Sequence, residues 1–381
     1  MMLVGRKYLV KGIKLKTSTE RLFIRKKEYR KMKKITFIFM LLITLSACAG
    51  EEGKMTENFS NQISDDRMLL VLSAPSIHES YYQPVFDLIV EFQIEYAKVI
   101  MGNDNVVIIV DADTKPYYEE DLPEDILIEA EVYDIWMRDF TLVNPLKPVQ
   151  FQYTWASMTK RESRQVQRSF AAFADKYDIQ RGKTPLLLDG GNLVDNYAGG
   201  VITTTRFMED NELSYSEAKE ALIDLLGATE VAILEPDEEV LAHSDGMVMW
   251  IDANMLLVND YSDYPEFREL ILDELEASFP AVTLIEVPVE YGQNKAGEWE
   301  GFESACGVNL NSTLTFENIY VPVFDMAHDQ SAVDIIRENT TKKVITFNAE
   351  GVCPMGGSVR CLTWQLTGEN AKKLILAARE D

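Results

Sequence analysis

Along the chain, short apolar runs alternate with amphipathic stretches. Met68–Ala74 is a mostly apolar run of strand length, interrupted only by Ser73, and Asn105–Val110 is a second, apolar after Asn105. Between them Val85, Leu88, Ile89, Phe92 and Tyr96 recur at helical spacing, which predicts a helix over 84–101. Pro123–Ala130 reads as a helix or a turn. The helix-then-strand step recurs at 163–177 and 186–188, 215–226 and 230–234, 267–279 and 283–287, and 332–338 and 344–348. Five steps, one about every 63 residues, predict an α/β protein built from a repeated supersecondary unit rather than one doubly wound sheet. No residue pattern repeats at that period, so the order of elements alone carries the prediction.

The first 66 residues follow a different pattern. Met32-Lys33-Lys34 precedes an apolar run, Ile35–Leu45, that ends in small residues. This is the form of a secretory signal, and the run is short for a membrane-spanning helix. Leu45-Ser46-Ala47-Cys48 resembles a bacterial lipobox, which implies cleavage before Cys48 and lipidation of that residue. The alternative is an ordinary signal peptide with an incidental cysteine. Met32 is expected to be the true start, with 1–31 an upstream extension, 32–47 the signal, 48–66 a polar tether and 67–381 the catalytic body. The expected location is the bacterial cell envelope, with the membrane reached through a lipid anchor at Cys48.

Charge narrows the partners. The 381 residues hold 37 Lys+Arg against 62 Asp+Glu, a formal charge of −25. Residues 1–47 carry 13 Lys/Arg and only 2 Asp/Glu, so the remainder stands at −36. Such a body does not bind nucleic acid or anionic lipid through its general field, and it attracts small cations. A homo-oligomer is an option the sequence leaves open. Lipidation at Cys48 would leave Cys306, Cys353 and Cys361, an odd number in an oxidising compartment. Cys306 and Cys353 are able to pair, which would leave Cys361 a thiol. With three histidines and no CxxC spacing, no metal site or other cofactor is expected.

Four polar clusters interrupt apolar strand ends: Trp136-Met137-Arg138-Asp139, Asp189-Gly190-Gly191-Asn192, His243-Ser244-Asp245-Gly246, and Gly356-Gly357-Ser358-Val359-Arg360-Cys361. Taken singly, each is more often a turn or a core residue than a site. Together they supply a thiol, an imidazole and three carboxylates, the set demanded by attack on a guanidinium. That carbon is deactivated by resonance, and paired carboxylate hydrogen bonds hold its plane against the nucleophile. A thiolate is accessible at neutral pH where an alkoxide is not. Departing ammonia needs a general acid, and His supplies one before activating water. In an extended segment His243 and Asp245 project to the same side.

At these residues the chain resembles the guanidino-modifying superfamily, specifically agmatine deiminases and the Porphyromonas-type bacterial peptidylarginine deiminases grouped with them. The shared motifs are Trp136–Asp139, Asp189-Gly190-Gly191, His243-Ser244-Asp245 and Gly356–Cys361, with Asn311, Val321–Asp325 and Phe151–Ala156 in order between them. The resemblance implies a five-bladed pseudo-symmetric α/β propeller, the pentein fold, with a central site. It also implies Cys361 as nucleophile, His243 as general acid and base, Asp139 and Asp245 on the guanidinium, and Asp189 orienting His243. Trp136, Asn311 and Arg138 would contact the substrate. The activity implied is conversion of a guanidine to a ureido group with release of ammonia, with agmatine to N-carbamoylputrescine, a step toward putrescine, as the expected case. Peptidylarginine deimination, amidinotransfer, dimethylarginine hydrolysis and an inactive surface-binding lipoprotein are the alternatives.

Three departures bear on the substrate. Asp189 stands where agmatine deiminases usually have Glu, Arg360 where they have His, and Thr363-Trp364-Gln365 follows the nucleophile. The Arg pair by which the peptidylarginine branch holds a C-terminal carboxylate has no counterpart in Tyr153–Met158, although Lys160, Arg161 and Arg164 lie nearby.

Overall fold

Five small sheets repeat one strand order. In the computed structural model, residues 60–156, 158–292 and 303–380 are described; the signal, the lipobox and Cys48 lie outside them. The first sheet contains β1 (Leu69–Ser73), β2 (Asn105–Val110) and β3 (Leu127–Glu129). The next three are β4 (Leu142–Val143), β5 (Val149–Gln152) and β6 (Gly182–Leu187); β7 (Val194–Asp195), β8 (Gly200–Thr204) and β9 (Glu230–Leu234); and β10 (Val248–Asp252), β11 (Met255–Asn259) and β12 (Thr283–Val287). The fifth is β13 (Thr313–Leu314), β14 (Asn318–Val323) and β15 (Lys343–Asn348). In sheets two to five an antiparallel hairpin is followed by a parallel third strand. The first sheet has the same order because β16 (Trp364–Leu366), near the C-terminus, pairs antiparallel with β1. A parallel pair needs a long crossover. Here the crossovers are the helices α1 (Phe86–Met101), α2 (Lys160–Lys176), α3 (Tyr215–Leu226), α4 (Pro265–Ser278) and α5 (Asp329–Glu338). Helix α6 (Gly368–Ala378) follows β16.

The five expected helix-to-strand steps are these five crossovers and their third strands. Helix α2 begins three residues before the expected 163 because Thr159 and Glu162 form a reciprocal capping box. Ser214 and Glu217 do the same for α3, which Gly227 ends in a left-handed conformation. The segment 123–130 is a short 3-10 turn, Glu124–Ile126, running into strand β3. The hairpin strands and α6 escaped the hydrophobic pattern; β4, β7 and β13 are two residues each, too short to show a period of two.

Alternate residues of the buried strands feed different cores. Leu70, Leu72, Val106 and Ile108 pack with α1 and with Tyr320 of the fifth sheet, whereas Leu69, Val71, Val107 and Ile109 pack with Phe170 and Phe173 of α2. A third core joins sheets two and three over α3, a fourth joins three and four over α4, and a fifth joins four and five over α5. The result is a mixed α/β fold in which five small sheets fit pseudo-symmetric repeats.

One boundary is corrected. Residues 60–66 were expected to belong to the tether, yet Asn61 is buried against β2, its Nδ2 donating to Val106 O at 2.8 Å and its Oδ1 accepting from Val106 N at 2.9 Å. β3 pairs with β2 only from Ile108 onward, so this amide occupies the edge that β3 leaves open.

Candidate active site

After the last parallel strand of each sheet the chain runs to the first strand of the next, and these connectors carry the polar clusters. Trp136–Asp139 follows β3, Asp189–Asn192 follows β6, His243–Asp245 follows β9, Asn311 follows β12 and Gly356–Cys361 follows β15. Three of them pass through tight 3-10 turns, Gly190–Asn192, Ser244–Gly246 and Cys353–Met355.

Hydrogen bonds stitch the connectors together. Arg138 N donates to Cys361 O at 3.0 Å, and Gly191 N donates to Asp139 Oδ1 at 3.0 Å. His243 lies between two carboxylates: Nε2 is 3.5 Å from Asp189 Oδ2 and Nδ1 is 3.9 Å from Asp139 Oδ1. Asp189 is held in turn by Thr154, whose N–H and hydroxyl donate to it at 2.8 and 2.6 Å. Asn311 Oδ1 accepts from Ser358 Oγ at 2.8 Å and from Cys361 Sγ at 3.4 Å, and Asn311 Nδ2 reaches Asp245 O at 3.5 Å. The approach is close enough to demand glycine. A β-carbon on Gly191 would lie 2.5 Å from His243 Nδ1, and one on Gly357 2.5 Å from Trp136 Cζ3.

Two cavities open onto Cys361 and His243. One, of about 260 Å³, is walled by Trp136, Asp139, Tyr82, Asp134, Glu79 and Glu162 among others. The other, of about 570 Å³, includes Asp245, Asn311, Asp237 and Tyr291. Thus Cys361, His243, Asp139, Asp245, Trp136 and Asn311 converge, with Asp189 behind His243. Arg138, expected to contact the substrate, does not join them. It is buried, its Nη2 donates to Gln365 Oε1, and it lines neither cavity. Asp245 is itself held, since Arg360 Nε donates to its Oδ2 at 3.2 Å. The sequence reading missed Thr154 and Ser358, which hold Asp189 and Asn311; both sat inside motifs already singled out, where small hydroxyl residues gave no distinguishing signal.

Electrostatics follow from burial and crowding. Burial pushes the Cys361 thiol well above its usual range, and the Asp245 and Asp139 carboxylates push it further. Burial also raises Asp139, reinforced by Asp189 and Asp245 and opposed by His243. For His243 burial pulls downward, but Asp139, Asp189 and Asp245 outweigh it and lift the imidazolium to about 10. Among the described residues no cluster of His, Cys, Asp and Glu is arranged to hold a metal. Cys306 and Cys353 form a disulfide, and Cys361 is a free, buried thiol.

This fold is shared with solved α/β deiminases of the pentein type. C. jejuni agmatine deiminase superposes with a TM-score of 0.67 at 18% identity, covering 81% of this chain and 94% of that one. The agmatine deiminase of Enterococcus faecalis gives 0.66 at 16% identity, covering 84% and 99%. No curated protein sequence matches the chain. Residues 65–366 match the Porphyromonas-type peptidyl-arginine deiminase family, and the chain belongs to that family. It is accordingly a hydrolase of the class that acts on guanidino C–N bonds.

Proposed function

We propose that this protein is a thiol-dependent deiminase of a small cationic guanidine, agmatine in the first instance. The observation that carries the reading is the convergence of Cys361, His243 and three carboxylates on one buried centre. In the resting site a thiolate is disfavoured by burial and by two carboxylates. A bound guanidinium between Asp139 and Asp245 offsets both charges, so substrate binding itself favours the thiolate. Cys361 then releases its thiol proton to solvent, its Sγ bonds to the guanidinium carbon and one C–N bond breaks. His243, protonated at neutral pH, gives its proton to the departing ammonia. The neutral imidazole next takes a proton from water, whose oxygen bonds to the same carbon as the C–S bond breaks. The products are a ureido group, ammonium and free Cys361. Asp189, fixed by Thr154, holds the imidazole in register.

The choice of agmatine rests on the 260 Å³ cavity. The described residues lining it include Glu79, Asp134, Asp139 and Glu162, and no Lys or Arg. A distal ammonium is favoured there, and an α-carboxylate finds no Lys or Arg. Agmatine is expected to exceed free arginine in kcat/KM by at least about tenfold, equivalent to roughly 1.4 kcal/mol. Ammonia release from both substrates by the wild type and by Cys361→Ala tests this. Turnover by Cys361→Ala would remove the assignment, and equal use of arginine would remove the substrate.

A second reading, peptidylarginine deimination, is favoured by one feature. Lys160, Arg161, Arg164 and Arg168 of α2 line a groove of about 860 Å³ that shares Tyr133 and Gln165 with the cavity. Faster deimination of an arginine flanked by acidic residues than of agmatine would support it. The five-sheet unit is further proposed to close into a five-bladed propeller, since its cores join sheets one–two, two–three, three–four, four–five and five–one. An envelope location through a lipid at Cys48 is likewise a proposal, tested by mass spectrometry of the native N-terminus.

A further inference from the structure

Arg360 precedes the nucleophile directly and is buried. Its guanidinium forks: Nε donates to Asp245 Oδ2 at 3.2 Å, and Nη2 donates to Leu193 O at 3.1 Å. Asp245 is 2% exposed, yet it lines the same cavity as Cys361, His243 and Asn311. The nearby Arg138 is drawn off to Gln365. Among the described residues Arg360 is therefore the one ion-pair partner within 4 Å of Asp245. Asp139 and Asp245 are crowded together in a buried site, where a carboxylate without a fixed counter-charge takes up a proton.

We propose that Arg360 is a positioning residue for substrate recognition, fastening Asp245 through Oδ2 so that its other oxygen is presented, charged, to the substrate guanidinium. The inference rests on the deiminase reading above. The chemistry suits arginine in particular. Its charge persists across the working pH range, and its planar fork bonds Asp245 and the Leu193 carbonyl at once, which fixes the carboxylate's rotation. A histidine at this position would lose its charge near neutral pH. A lysine would keep the charge as a single point and lose one of the two bonds. Burial raises Asp245 on balance, and Arg360, His243 and Arg138 oppose that rise by favouring its charged form. Cys361 and Asp139 feel its negative charge, and Asp195 lies in the field of Arg360.

The test compares wild type, Arg360→Lys, Arg360→Met, Asp245→Asn and the Arg360→Met/Asp245→Asn pair. Steady-state ammonia release from agmatine is followed between pH 5.5 and 9. Alkylation of Cys361 by chloroacetamidine, an amidinium electrophile, is measured beside alkylation by neutral iodoacetamide, which reports cation binding without turnover. Arg360→Met is expected to raise KM about tenfold with kcat changed less than about threefold, and to move the acid limb of kcat/KM up by about one pH unit. Its preference for chloroacetamidine over iodoacetamide should fall by a similar factor. Arg360→Lys should keep the acid limb in place with an intermediate KM. In the Asp245→Asn background Arg360→Met should add nothing, because the group it serves is gone. An unmoved acid limb with unchanged KM, a loss confined to kcat, or additive losses in the double variant would overturn the proposal. Should Arg360→Met fail to fold, Arg360→Lys decides: an acid limb shifted upward despite the retained charge would refute it. A wild type that releases no ammonia from any guanidine would defeat the deiminase reading instead, and the alkylation ratio would still decide the role of Arg360.

Discussion

Gly191→Ala is a sharp probe of how the site is assembled. The residue has no positive φ, so alanine suits its backbone, and the whole effect of the substitution is steric. Its β-carbon would sit 2.5 Å from His243 Nδ1 and 2.8 Å from Asp139 Oδ1. Ordinary contact begins at 3.4 Å, so the imidazole must retreat by roughly 1 Å. A displacement of that size at a reacting group costs on the order of 100-fold in rate, about 2.7 kcal/mol of transition-state stabilisation. The overpacking should cost about 1–3 kcal/mol of folding stability, of which the stiffer unfolded chain returns up to about 1. Gly102→Ala is the control: its β-carbon meets only Val99 O at 3.9 Å, and its backbone is right-handed helical. The assay is kcat for ammonia release, with urea melts on the same preparations. Gly191→Ala should lose about two orders of magnitude in kcat while staying folded at 25 °C, and Gly102→Ala should lose neither. Full activity in folded Gly191→Ala would mean that the position of His243 against Asp139 and Asp189 does not govern the chemistry.

Three other outcomes are expected. His243 has a folded-state pKa of about 10 against an ordinary 6.5, so its charged form stabilises the fold fully below pH 6.5 and that contribution is lost as pH climbs toward 10. Wild type should therefore lose more stability than His243→Gln across that window, by a few kcal/mol at order of magnitude, and parallel denaturation profiles would contradict it. Thr154→Val removes the hydroxyl that donates to Asp189 and should lower kcat about tenfold and stability by about 1.5–3 kcal/mol, with Thr154→Ser retaining both. The Cys306–Cys353 disulfide closes a 47-residue span between the connectors that carry Asn311 and Cys361. Cys306→Ser/Cys353→Ser should cost about 2–4 kcal/mol in urea melts and raise the rate at which Cys361 is alkylated.

By itself the sequence determined the α/β class, the five helix-to-strand steps and the four polar clusters that the fold brings together. These are local properties: α1 announces itself through Ile89, Phe92 and Tyr96 on one face, and β2 through the apolar run after Asn105. The clusters at 136, 189, 243 and 356 stood out because polar residues and glycines broke strand ends that burial should have kept apolar. Only the tertiary structure decided where their side chains point. Arg138 and Asp139 are adjacent in sequence, yet the first turns to Gln365 and the second to His243. Arg360 read as a departure from the family pattern until a neighbour 115 residues away made it the partner of Asp245. Cys306 and Cys353 could have remained thiols, and their pairing came from two connectors meeting. The reason is physical. Periodicity records which face of an element is buried, whereas a buried polar contact depends on which connectors the packed sheets bring together, and no local pattern encodes that meeting.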